Sequence, residues 1–163
     1  MRFLHIADLH FGKTIHGVSM LDNGDQGSWT DRFLELTDRV KPDAVVIAGD
    51  VYDRSSPSGE AVSLLNRLLT SLSEMSVPIL MTAGNHDSSR KLSFARDLLE
   101  KQGLHIARPL DDSPSLTAVT LEDEYGPVTF LLMPYVFPAL ASGCKNYHQN
   151  HQAFLCLEEY LLI

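Results

Sequence analysis

Three apolar runs, Phe3 to Ala7, Ala44 to Ala48 and Val77 to Ala83, each break off on a polar motif: Asp8-Leu9-His10, Gly49-Asp50-Val51-Tyr52-Asp53 and Gly84-Asn85-His86-Asp87. Their unbroken hydrophobicity is the signature of buried strands rather than alternating surface ones. Such strands belong to α/β sheets, where polar groups just past the carboxyl ends meet in one crevice. Asp8, His10, Asp50, Asn85 and His86 are therefore expected to converge.

Helical spacing alternates with these runs. A Gly-rich stretch, His16 to Ser28, reads as a long loop, and Phe33, Leu36 and Val40 mark a helix closed by Pro42. Ser55 to Ser58 opens a second, whose Val62, Leu65, Leu68, Leu69 and Leu72 recur at helical intervals up to about Ser76 and read as core. Leu92, Ala95, Leu98 and Leu99 predict a third, ended by Gly103. A fourth strand is expected at Leu104 to Ala107, then a hairpin of Leu116 to Leu121 and Val128 to Met133 turning through Glu122 to Pro127. This order predicts an α/β domain with a mixed sheet. His148 to Ile163 reads as a helix that ends on Tyr160-Leu161-Leu162-Ile163 without a stop signal, which fits either truncation or docking on the sheet.

The 163 residues, 44% hydrophobic and 21% charged, suffice for one folded domain and argue against disorder. A formal charge of −8 argues against non-specific coating of nucleic acid, although a nuclease with a local basic rim is compatible with it. Cys144 and Cys156 lack any CxxC spacing, as in a reduced cytosolic protein. Asp8 interrupts the first apolar run too early for a signal peptide, and nothing predicts a membrane segment.

Carboxylate, imidazole and amide oxygen together suit Mn²⁺, Fe²⁺ or Zn²⁺. Two such ions held roughly 3.5–4 Å apart clamp the attacking and leaving oxygens of a phosphoryl displacement. Asp8 and His10 are candidate ligands of the first metal, Asp50 the candidate bridge and Asn85 a ligand of the second. His86 is assigned to stabilise or protonate the leaving oxygen. Gly49 and Gly84 allow tight turns beneath these ligands, while Asp53 and Asp87 would orient them. Any one motif alone is an ordinary polar turn; the three together, each at a strand end, carry the inference.

Other polar residues have plainer readings. His5 is expected to satisfy a core hydrogen bond, His16 to be an exposed loop residue, and His148 and His151 to play no ligand role. Arg90, Lys91 and Arg96 are either candidate contacts to a phosphate backbone, Arg90 and Lys91 foremost, or a solvated helix face.

These motifs give the chain a resemblance to the calcineurin-like metallophosphoesterase superfamily and, within it, to SbcD-type nuclease subunits. The stretches Leu4 to Gly12, Ala48 to Asp53 and Ala83 to Ser88 carry it; the similarity runs from Met1 to about Ala107, and Leu131 to Tyr135 is similar to the strand that follows. The resemblance implies a four-layer sandwich of two mixed sheets flanked by helices. It also implies a Mn²⁺-dependent double-strand exonuclease and single-strand endonuclease of DNA repair and recombination, working in the cytoplasm with an SbcC-type coiled-coil ATPase. A homodimer through helices near 57–76 and 88–101 is implied as well. By matching position, Asp8 and His10 bind the first metal, Asp50 bridges, Asn85 binds the second and His86 acts in catalysis.

The family continues with Gly-His and Gly-His-x-His motifs and a capping domain, whereas this sequence contains no Gly-His dipeptide. Residues 1–163 are accordingly expected to form a single partial domain, incomplete at its C-terminal side, with the second metal site unfinished and little activity in isolation. Two other functions fit the same residues: a small-substrate phosphatase or phosphodiesterase of this superfamily, and a non-catalytic domain that dimerises and docks on the ATPase.

Overall fold

The computed structural model describes residues 1–21, 24–110 and 116–136. The predicted helix from His148, both cysteines, His148 and His151 lie outside the described residues.

Strand β1 (Phe3–Ile6) leads into a small hairpin, β2 (Thr14–Ile15) and β3 (Val18–Ser19), and then helix α1 (Asp25–Val40). Strand β4 (Ala44–Ala48), helix α2 (Gly59–Glu74) and strand β5 (Ile79–Thr82) follow. Two short helices, α3 (Ser89–Leu92) and α4 (Arg96–Leu99), a 3₁₀ turn at Glu100–Gln102 and strand β6 (Leu104–Ile106) complete the first layer pair. A hairpin of β7 (Thr117–Asp123) and β8 (Gly126–Leu132) comes last.

The main sheet is parallel, in the order β1-β4-β5-β6, so β4 lies between the strands that carry the first and third motifs. Its register sorts the side chains by face. Leu4, Val45, Ile79 and Leu104 form one cross-strand row, and Ile6, Ile47, Met81 and Ile106 form another. Both rows pack against Phe33 of α1 and Leu65, Leu68 and Leu72 of α2 in the larger core. On the opposite face, Val46 and Leu80 meet Val119, Leu121, Phe130 and Leu132 of the β7–β8 hairpin. Among the described residues the molecule thus stacks helices, a parallel sheet and a second, antiparallel sheet, in the α/β class expected.

Several expectations need correction. The hairpin packs face to face on the parallel sheet, as the two-sheet sandwich implied by the resemblance requires, and does not extend it into the one mixed sheet read from element order, because its own apolar alternation needs a face to cover. Strand β1 alternates exposed and half-buried residues, since it is an edge strand among the described residues. His5 is consequently exposed and not in the core. The loop from His16 is shortened at both ends: β2 and β3 turn through His16 and Gly17, both at positive φ, and α1 starts at Asp25 behind a left-handed Gly24. His16 is exposed as expected. The predicted single helix around Leu92 to Leu99 is broken by Ala95, whose φ is 56°, although Gly103 does close the segment at φ 79°. Helix α2 begins as anticipated, with Ser58 accepting the Ala61 N–H as its cap.

Candidate metal centre

Beyond β1 and β4 the chains leave the sheet together. Asp8 N–H donates to Gly49 O at 3.2 Å, His10 N–H to Asp50 O at 2.9 Å, Phe11 N–H to Val51 O at 2.9 Å, and Asp53 N–H returns to Phe11 O at 3.2 Å. The first two motifs are therefore zipped along their backbones, which fixes the spacing of their side chains. Asp8, His10 and Asp50 adopt φ values of 55°, 44° and 48°, a left-handed conformation that costs non-glycine residues energy and clusters at functional sites.

The third motif is attached through side chains. His86 N–H donates to Asp50 Oδ1 at 3.0 Å. Asp87, buried, accepts three backbone N–H groups: Val51 at 3.0 Å, Tyr52 at 2.9 Å and Gly84 at 2.9 Å. Among the described residues it ties together the turns that carry Asp50 and Asn85. Burial, and then the Asp87 charge, push the Tyr52 phenol up to about 12. A Cβ on Gly49 would lie 3.0 Å from Gly84 Cα, and one on Gly84 would overlap Asp50 Oδ1 and its backbone N, so both glycines are required by close approach.

The donors meet where the strands predict. His10 Nε2 lies 3.8 Å from Asp8 Oδ1 and 3.7 Å from Asp50 Oδ2, too far for hydrogen bonds. Those separations suit atoms sharing a cation at about 2.0–2.2 Å from each. Asp50 gives one oxygen to the His86 amide and turns the other toward His10. Asp8, His10 and Asp50 thus form a set able to hold a divalent ion, and an oxygen and nitrogen donor set fits the metals expected. His10 Nδ1 is buried, faces Asp53 Oδ1 at 3.5 Å and makes no hydrogen bond among the described residues. A carboxylate behind the ligand histidine is the usual way its ring is oriented.

The His10 and His86 rings meet edge to face at 4.7 Å, and His86 Nδ1 is 2.8 Å from the Asp53 carbonyl oxygen. Asn85 is exposed on the turn between Gly84 and His86. Cations rim the site: Lys13 Nζ and Arg54 Nε lie 3.6 Å and 3.8 Å from the Asp53 carboxylate. Neither stands out in the sequence, where each is an isolated basic residue. Lys91 donates to Ser55 O at 2.9 Å and to Ser56 Oγ at 2.7 Å, while Arg90 is exposed on α3. His10, Asp53 and His86 also lie close enough to share an ion, a grouping that the motifs alone do not suggest.

The family described as calcineurin-like phosphoesterase matches residues 1–148. The SbcD subunit of the SbcCD nuclease from Staphylococcus saprophyticus is 37% identical over 136 residues, which are 83% of this chain and 34% of that protein. The chain therefore spans about a third of the length of this relative.

Proposed function

This chain belongs to the calcineurin-like phosphoesterase family, and we propose that it is the N-terminal part of an SbcD-like DNA nuclease acting in repair and recombination. The observation that carries the reading is the convergence of Asp8, His10 and Asp50 at the ends of adjacent parallel strands, with His86 hydrogen-bonded to Asp50 beside them.

Asp8 and His10 would hold a first divalent cation, Asp50 would bridge to a second, and Asn85 would contribute to that second site. When bound, the two ions, Mn²⁺ by this reading, supply Lewis acidity to the phosphate oxygens. The chain's own residues do the rest. Asp87 holds the turns of β4 and β5 in register. Asp53 would back the His10 ring, and His86, when its ring is cationic, would protonate the departing oxygen. Lys13 and Arg54 bring positive charge to the rim of an otherwise acidic centre, where a phosphate would approach.

The partners follow from the same reading: DNA as substrate, an SbcC-type ATPase, and a second copy of the chain, with the cytoplasm as compartment. Phe94, between α3 and α4, and Leu98 of α4, 81% and 67% exposed, offer apolar surface for self-association. By this reading Gly-His motifs complete the second metal, and residues 1–163, which have no Gly-His dipeptide, would bind metal weakly and hydrolyse little on their own.

Substrate class is tested by offering duplex DNA, a hairpin oligonucleotide and p-nitrophenyl phosphate side by side in Mn²⁺ to the complete protein. Faster turnover of both DNAs, abolished by Asp50→Ala, is expected; preferential turnover of the small ester contradicts the nuclease reading.

A further inference from the structure

We infer that Lys91 is a positioning residue for His86: it braces the Asp53–Ser56 segment so that the Asp53 carbonyl fixes which nitrogen of the His86 ring carries the proton.

A carbonyl oxygen can only accept, so His86 Nδ1, at 2.8 Å from Asp53 O, must donate. Neutral His86 therefore carries its proton on Nδ1 and keeps the Nε2 lone pair free. The tautomer is set by a main-chain atom, and its persistence depends on what holds that stretch of main chain. On the upstream side Asp53 N–H is tied to Phe11 O at 3.2 Å. Downstream, the tie is Lys91, whose ammonium donates to Ser55 O at 2.9 Å and Ser56 Oγ at 2.7 Å. Lys91 sits on α3, one short segment after His86, with its own N–H accepted by the Ser88 hydroxyl at 3.4 Å. The 53–56 and 86–91 segments are thus cross-linked at two points, His86 to Asp53 and Lys91 to Ser55 and Ser56. Donation from an ammonium is stronger than from a neutral group, so the second tie stabilises the first. Two of the three ammonium protons are used this way, which leaves one for contact with a phosphate.

The inference rests on the proposed role of His86 only for its consequence; the tautomer itself is measured without metal or substrate. Nitrogen-15 NMR of the metal-free chain, at alkaline pH where imidazole is neutral, should show widely separated Nδ1 and Nε2 shifts for His86, with the proton on Nδ1. Lys91→Met, which keeps the stem and removes the donors, should draw the two shifts together as the tautomers average. Lys91→Arg should restore the separation, and Lys101→Met on the exposed 3₁₀ turn should leave it unchanged. Averaged shifts in the unmodified chain, or an unchanged separation in Lys91→Met, would overturn the brace. Loss of the phosphoesterase reading through unaltered metal affinity in Asp50→Ala would leave these spectra as they are, so the two failures are separable.

Discussion

Asp87 shows how one side chain can hold a site it does not enter. Its carboxylate accepts from three amides in two turns, and an Asn in its place would present an NH₂ group to N–H donors. Asp87→Asn should cost about 2–3 kcal/mol in urea unfolding, the scale of a lost charged hydrogen bond with a buried donor left unpaired. Its neighbour Tyr52 gives a pH signature. With the phenol pushed up to about 12 by burial, the folded chain keeps a proton that the unfolded chain releases near 10. Stability should therefore be fully present below about pH 10 and decline as pH rises toward 12, and Tyr52→Phe should flatten that decline in alkaline denaturation curves. The candidate ligands are legible in the sequence because Asp, His and Asn follow apolar runs. The targets of Asp87 are not, because Val51 and Tyr52 are more than thirty residues away and only the parallel pairing of β4 and β5 brings them near. Nor does anything local announce the left-handed backbone of Asp8, His10 and Asp50.

At the level of elements, the site depends on how closely the ends of β4 and β5 approach. Gly84→Ala places a methyl group on Asp50, so it should abolish metal binding measured by calorimetry while Gly59→Ala, with open space around its Cα, does not. The short helices make a different prediction. Phe94→Ser and Leu98→Ser should leave the melting temperature of the monomer nearly unchanged and weaken self-association in sedimentation velocity, because both side chains are exposed. Leu68→Ala, fully buried in α2, should instead cost about 2–5 kcal/mol. Helix α2 can be read from its leucine spacing and its Ser58 cap because both signals are local. The start of α1 has a left-handed Gly24 where a Ser or Asp cap would have marked it, and the break at Ala95 occurs without glycine or proline, so neither boundary leaves a trace in the residues themselves.

For the whole molecule, the parallel sheet sets the order of events from sequence to chemistry. The apolar rows bury one sheet face against α1 and α2 and the other against the β7–β8 hairpin, which fixes the strand ends as a rigid platform. The left-handed, acid-rich turns above it bring together Asp8, His10 and Asp50, a set able to hold a divalent ion. Among the described residues no helix is long and apolar enough to cross a membrane. That layered plan is readable from the alternation of strands and helices, whereas the separation of hairpin and parallel sheet depends on which faces remain uncovered. The central claim is that Asp8, His10 and Asp50 form one preformed half of a two-metal centre. It is tested most directly by titrating Mn²⁺ into the metal-free chain in a calorimeter, with Asp50→Ala alongside. Weak, saturable binding that disappears in Asp50→Ala is the predicted result; no binding by the unmodified chain, or equal binding by both, would contradict it.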